Sequence, residues 1–188
     1  MTVRRTSVAT AALILTLGLT ACTSQVGGQA NPSQSGSGTS APTSGSAAGD
    51  PGNPFAGLSP CTVLDQVLTG QGFPKAAPTI ADAKDTCGAS KDTSGNTPGV
   101  TVGLSLQAGG NYKDNVTNPE QASDGNVNGR PAVEEREPQH SPGQCAIRFQ
   151  VKQDSRALLV ISSGSDTATA CKQVEEIAAK VEPLLPKN

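Results

Sequence analysis

Five cysteines are the residues of this chain whose type and number most directly suggest chemistry: Cys22, Cys61, Cys87, Cys145 and Cys171. An odd number indicates one cysteine with a separate fate and four that pair with each other. Disulfides are typical of exported proteins, whereas zinc sites usually contain Cys-x-x-Cys pairs or several histidines. The chain has no Cys-x-x-Cys and a single histidine. We therefore expect disulfides, no metal site and no cofactor.

Cys22 follows a short apolar segment at the start of the chain. Arg4 and Arg5 precede residues 8–19, which are almost entirely apolar. This segment is shorter than the about 20 residues of a membrane-spanning helix and is typical of a secretory signal. The sequence "LTAC" at its end resembles a bacterial lipobox, in which the cysteine thiol receives diacylglycerol. The sequence thus predicts a lipoprotein signal peptide over residues 1–21 and lipidation of Cys22, which would anchor the protein to the outer face of the cytoplasmic membrane.

The other four cysteines allow three disulfide pairings. We favour Cys61–Cys87 and Cys145–Cys171, because each bond then closes the shorter loop and both spacings are 26 residues. A loop of that size corresponds to a stabilisation of about 3.5 kcal/mol in the chain-entropy description.

The densest acidic cluster comprises Glu134, Glu135 and Glu137, and His140 follows it in a proline-rich segment. Paired carboxyls can act as acid and base or contact a cation, but a catalytic base needs a partner within hydrogen-bond reach. No Gly-x-Ser-x-Gly nucleophile motif occurs. We expect the glutamates on a solvated strand edge, with Glu135 and Glu137 on one strand face, and His140 in an exposed loop. No catalytic residue is assigned, and the chain is not expected to be an enzyme.

Three further motifs are expected to carry no function. The glycosylation sequon that begins at Asn115 has no clear meaning in a bacterial lipoprotein, and the glycine pair of residues 108–111 lacks the lysine of a phosphate-binding loop. The charged residues Asp82, Lys84 and Asp85 indicate a polar loop.

Composition divides the chain and excludes one class of partner. Residues 23–52 contain almost no large apolar side chains, so we expect a disordered tether over residues 22–52 and one folded domain over residues 53–188. Of 14 Lys and Arg, loss of Arg4 and Arg5 leaves 12 against 16 Asp and Glu, a net charge of −4. An acidic chain without Trp, and with one Tyr and three Phe, is not expected to bind nucleic acid.

Hydrophobic periodicity predicts an α+β fold with an antiparallel sheet. Strict alternation in "VTVGLSLQ" (residues 100–107) and "CAIRFQVK" (residues 145–152) indicates half-buried strands, and "ALLVIS" follows the second as a hairpin partner. Asn128-Gly129 is a hairpin turn signal. Ser59 and Pro60 begin a helix, and a second helix starts near Thr167.

The residues in this order resemble a known family. They are "NPF" at 53–55, "LSPCTVLD" at 58–65, "VNGRPAVEE" at 127–135, "CAIRFQV" from 145 and "ACKQVEEIAAKVEPLLP" at 170–186. Together they are similar to the actinobacterial exported lipoproteins of the domain of unknown function 3558 family. The resemblance implies an antiparallel sheet flanked by an N-terminal and a C-terminal helix, and no established reaction. Ala89 stands where members of the family often have Trp.

We therefore expect a non-catalytic binding module for a partner protein or a small envelope ligand. A pocket between sheet and helix would be lined by apolar residues such as Leu104 and Phe149. The alternatives are a hydrolase of cell-envelope material that uses Glu134, Glu135 or His140, and a structural spacer.

Overall fold

The computed structural model describes residues 52–187. The predicted signal peptide, the lipidation site Cys22 and the tether up to residue 51 lie outside the described residues. None of the helices in the described part is long and apolar enough to cross a membrane. The helices are α1 (Pro60–Leu68) and α2 (Thr167–Val181), and the strands are β1 (Ala77–Pro78), β2 (Thr86–Lys91), β3 (Val100–Gln107), β4 (Ala122–Val127), β5 (Arg130–Arg136), β6 (Gln144–Lys152) and β7 (Ser155–Ser163).

The seven strands form one sheet in the order β1-β2-β3-β7-β6-β5-β4, and all neighbours are antiparallel. Both helices pack on the same face, which we call the helix face, and the opposite side is the outer face. Because side chains alternate along a strand, one register row shares one face. The row Cys87, Leu104, Leu159 and Ile147 is buried on the helix face. The predicted α+β fold is confirmed.

Local sequence explains both helices. The Ser59 side chain accepts a hydrogen bond from Thr62 N at 3.5 Å, and Pro60 occupies the first turn of α1. The Asp166 carboxylate accepts hydrogen bonds from Thr169 N and Oγ1, which cap α2. Each helix then buries an apolar stripe against the sheet.

Two disulfides join the helices to the sheet. Cys61 of α1 bonds to Cys87 of β2, and Cys145 of β6 bonds to Cys171 of α2. The Cα–Cα distances are 5.1 Å and 4.9 Å. This is the pairing that the loop lengths favoured.

Residues 108–121 connect β3 to β4 across the outer face, and we call them the crossover segment. β3 and β4 are separated in the sheet by β7, β6 and β5, so the chain must pass over these three strands. The outer face was expected to be solvated, yet Ala146 and Arg148 on β6 are 0% and 5% exposed. The crossover segment covers this part of the sheet, which explains the difference.

Candidate functional site

A groove lies on the helix face between the β4–β5 hairpin and α2. α2 packs mainly on β6 and β7, so the hairpin extends beyond it. The groove has a volume of about 370 Å³ and is open to solvent. It is lined by Ser123, Asp124, Gly125, Asn126, Val127, Asn128, Ala132, Glu134, Ile147 and Glu175.

The hairpin that forms one wall turns at Asn128 and Gly129. Their φ angles of 51° and 88° match the two left-handed positions of a tight β-hairpin turn, which Asn and Gly tolerate. Asn126 Oδ1 accepts a hydrogen bond from Gly129 N at 3.3 Å. The predicted hairpin is therefore confirmed, with β4 and β5 as its strands.

The tip of the hairpin is fastened to the C-terminal end of α2. Asn128 Nδ2 donates a hydrogen bond to the Ala179 carbonyl at 2.9 Å. Arg130, which is 6% exposed, forms an ion pair with Glu182 at 2.9 Å and donates to the Pro186 carbonyl at 3.0 Å. These contacts hold the two walls of the groove at a fixed separation.

Glu134 and Glu175 place two carboxyl groups side by side in the groove. Glu134 is half-buried on β5, and Glu175 projects from α2. Burial raises the pKa of Glu134, and its hydrogen bond and charge repulsion with Glu175 raise it further. The positive charge of Arg136 opposes the shift in the pKa of Glu134. Burial and the neighbouring Glu175 thus both favour the protonated form of Glu134.

The disulfide Cys145–Cys171 lies next to this carboxyl pair. Glu134 Oε1 is 3.8 Å from Cys145 Sγ, and the carboxylate and the two sulfur atoms lie within 4.8 Å of one another. A cysteine binds a metal through its thiolate, and the sulfur atoms of Cys145 and Cys171 are instead bonded to each other. The cluster in this oxidised form offers a metal only one carboxylate ligand.

Apolar and polar groups divide the lining of the groove. Val127, Ala132 and Ile147 provide apolar surface beside the carboxyl pair. Ser123 and Gly125, which face the groove from β4, are small. Among the described residues that line the groove, none is basic. The arrangement can hold a chain that combines an apolar part with a positive charge.

Glu135 lies on the outer face and is fully buried, so the expectation of a solvated strand edge is wrong for this residue. Its carboxylate forms an ion pair with Arg148. It also accepts hydrogen bonds from Thr117 N, Thr117 Oγ1 and Asn118 N at 2.6 to 2.8 Å. Burial alone would raise the pKa of Glu135, but the hydrogen bonds from Thr117 and Asn118 and the charge of Arg148 lower it overall.

Two arginines extend this buried network along the crossover segment. Arg148 Nη2 donates to the Asn115 carbonyl at 3.0 Å. Arg156 Nη1 donates to the carbonyls of Asn111 and Asp114 at 2.9 and 2.6 Å. Burial and the nearby charge of Arg148 lower the pKa of Arg156. The network fixes the crossover segment to the sheet.

The remaining residues considered from the sequence do not join the groove. His140 is exposed in a short helical turn, as expected for a loop histidine. β5 ends at Arg136, and Glu137, the next residue, adopts a left-handed backbone with φ of 51°. Glu137 therefore does not share a strand face with Glu135. Its carboxylate accepts a hydrogen bond from Thr167 Oγ1 at 2.7 Å.

The other motifs also lie apart from the groove. Leu104 and Phe149 are fully buried in the core and do not line it. Residues 108–111 follow β3 as a bend, and Asn115 of the sequon is exposed. In the polar loop, Asp82 and Lys84 are exposed, whereas Asp85 is half-buried.

Sequence reasoning missed Glu175 and Gly125 as site residues. Glu175 follows Cys171 by four residues, so both lie on one side of α2. Once Cys171 is paired with Cys145, Glu175 comes near β5, so a signal for its position was present. No sequence feature marks Gly125 as a site residue, because it lines the groove only through the position of β4 at the edge of the sheet.

Neither the curated proteins nor the solved structures contain a match to this chain. One family does match, over residues 17–184, and it is described as a protein of unknown function (DUF3558). The match extends through both helices, the sheet and the groove residues. The chain therefore belongs to the DUF3558 family of proteins of unknown function.

Proposed function

We propose that this protein is a non-catalytic binding module that is anchored by lipid on Cys22 to the outer face of the cytoplasmic membrane and binds a partner protein. The observation that carries the proposal is the open groove between the β4–β5 hairpin and α2. The groove is held by side-chain contacts at both of its ends: the hairpin tip is fixed to α2, and the Cys145–Cys171 disulfide fixes α2 to the sheet.

A partner protein suits this groove better than an enclosed small molecule. Small-molecule sites usually surround most of the ligand surface. Here one wall is β4, the last strand of the sheet, and the groove is open to solvent. A segment of another protein can lie along such an opening.

The hydrolase alternative receives less support from the side chains that it would use. Glu135 is engaged by Arg148, Thr117 and Asn118, and His140 does not line the groove. Glu134 and Glu175 are hydrogen-bonded to each other, whereas the carboxyls of glycoside hydrolases stand about 5 Å or more apart, with the scissile bond between them.

Blocking the groove tests the proposal. A Cβ added at Gly125 meets nothing within 4 Å, so Gly125→Leu should fill the groove without disturbing β4. Gly109→Leu is the matched control, because a Cβ there also meets nothing within 4 Å and the residue lies outside the groove.

The readout is site-specific crosslinking in membranes, with a photoreactive amino acid at position 123 in the groove or at position 154 in an exposed turn. We expect a discrete crosslinked protein from position 123 only, which Gly125→Leu abolishes and Gly109→Leu retains. A crosslink that survives Gly125→Leu would remove the groove from the proposal.

The anchor has a separate test. Cys22→Ala should leave an uncleaved precursor or release the protein from the membrane fraction. Normal cleavage and unchanged membrane retention in this variant would contradict lipid anchoring.

A further inference from the structure

The strand β4 has only one neighbour in the sheet. It pairs with β5 through residues 122–127 and ends the strand order. A strand at the edge of a sheet presents unpaired N–H and C=O groups that can pair with another extended chain. At the start of β4, Ala122 N donates a hydrogen bond to the Pro119 carbonyl. In the described part of the chain, no backbone-to-backbone hydrogen bond from a turn or loop reaches residues 123–127.

We infer that β4 accepts an extended segment of the partner protein as an eighth strand, and that a Lys or Arg of this segment lies between Glu134 and Glu175. The inference rests on the proposed function and names the chemistry of the partner at the same groove. Addition of a strand to an exposed sheet edge is a recurrent mode of peptide recognition, in which main-chain hydrogen bonds give affinity and side-chain pockets give specificity.

The dimensions of the edge allow a basic side chain to reach the carboxyl pair. Neighbouring strands lie about 4.8 Å apart, so an added strand would lie about 10 Å from β5. Ser123 pairs with Glu134 in the β4–β5 register, and Gly125 pairs with Ala132. Because both β4 residues are small, a long side chain can pass over them along the groove toward Glu134.

Charge complementarity determines which side chain fits. Asp124, Glu134 and Glu175 are the charged residues of the lining, and Asp124 already pairs with Lys113 at 2.8 Å. Arg136 lies two residues from Glu134 on the same strand face but does not line the groove. Glu134 and Glu175 therefore remain available for a cation, which would offset the repulsion between their carboxylates.

Apolar surface next to the carboxyls fits the rest of a basic side chain. Lys and Arg bury their methylene groups against apolar atoms while their charged ends contact polar groups. Val127, Ala132 and Ile147 provide such a surface. An acidic side chain at this position would face the carboxyls of Glu134 and Glu175 and is disfavoured.

The test is selection of a random octapeptide library on the purified full chain, followed by binding measurements with the selected peptides. We expect enrichment of Lys or Arg at one peptide position. Hydrogen exchange should slow at the amides of residues 122–127 when these peptides bind. Glu134→Gln combined with Glu175→Gln should weaken binding by about tenfold or more, because two charged contacts are lost.

Glu176→Gln is the matched control, since Glu176 neighbours Glu175 on α2 and does not line the groove. The Glu176→Gln variant should bind the peptides with the same affinity as the unmodified chain. Circular dichroism and thermal unfolding of each variant establish that a loss of binding does not come from unfolding.

The outcomes separate the inference from the function on which it rests. Peptides that bind the groove without a basic residue, or that bind equally to the Glu134/Glu175 double variant, would overturn the inference and leave the proposed function standing. A concentration-dependent dimer that protects the same amides would also overturn it, because the occupant would then be a second copy of this chain. Peptides that bind equally to the Gly125→Leu variant would overturn both the inference and the proposed function.

Discussion

Glu134 and Glu135 are adjacent in the chain and differ in almost every physical respect. Glu134 faces the groove, shares a hydrogen bond with Glu175, and has a raised pKa. Glu135 faces the crossover segment, is fully buried, and has a lowered pKa. Strand alternation places them on opposite faces, and each face provides a different set of partners. The carboxylate on the outer face is fully engaged by neighbouring groups, whereas the carboxyl in the groove lies at a surface open to solvent.

Removal of the Glu135 charge should have the largest effect on stability. Glu135→Gln leaves Arg148 buried without its ion-pair partner, and loss of one member of a buried pair destabilises by about 3–5 kcal/mol. Equilibrium urea unfolding measures the change in the free energy of unfolding.

Glu134→Gln is the paired control. The new amide can still donate a hydrogen bond to Glu175, and no ion pair is lost, so we expect a change in the free energy of unfolding within about 0.5 kcal/mol. If Glu134→Gln and Glu135→Gln lowered the free energy of unfolding equally, Glu134 would be as important for stability as Glu135, which would contradict the comparison.

Loss of Arg156 should have a smaller effect that is confined to the outer face. Arg156→Met removes hydrogen bonds to the Asn111 and Asp114 carbonyls, and bonds from charged groups contribute about 1.5–3 kcal/mol each. Relief of burial and of repulsion from Arg148 offsets part of this loss. We expect a net destabilisation below that of Glu135→Gln.

Hydrogen exchange distinguishes local release from general weakening in the Arg156→Met variant. Amides of residues 111–118 should exchange faster, while amides of β4 and α2 around the groove keep their rates. Uniformly faster exchange in both regions would show that the two faces are not independent.

The sequence predicted the fold well wherever the signal was local. Alternation over residues 100–107 and 145–152 corresponds to β3 and β6, and Asn128-Gly129 is the predicted hairpin turn. β2 was missed because "TCGASK" contains no large apolar side chain to alternate with its polar residues.

The network on the outer face could not be predicted from periodicity. Arg148 bonds to a carbonyl 33 residues away, and Arg156 bonds to carbonyls 42 and 45 residues away. Such contacts depend on the path of the crossover segment, which has no repeating pattern. The alternation in "CAIRFQVK" puts Arg148 on the face opposite Phe149, as in the structure, but the burial of Arg148 comes from the crossover segment, whose path has no local sequence signal.

The groove was inaccessible to prediction for a related reason. Glu134 and Glu175 meet only after the sheet order and the position of α2 are fixed. The disulfide pairing was the one long-range constraint that the sequence supplied. It joins α2, which carries Glu175, to β6, the strand next to the one that carries Glu134.

The smallest predicted effect is a difference in pH dependence between the two glutamates. A lowered pKa means that Glu135 contributes stability above its unfolded pKa of about 4.3, and this contribution is lost as the pH falls through its folded pKa. A raised pKa gives Glu134 the opposite sign: its contribution is complete below about pH 4.3 and is lost as the pH rises through its folded pKa.

Urea midpoints measured from pH 2.5 to pH 8 should separate these contributions when each variant is compared with the unmodified chain, because shared titrations such as that of Asp166 then cancel. The difference for Glu135→Gln should change mainly below about pH 4.3, and the difference for Glu134→Gln should change above it. If both differences changed in the same pH range, the folded structure would stabilise the charged form of Glu134 as it does that of Glu135. The groove would then lack a carboxyl, that of Glu134, whose proton a partner's cation could replace.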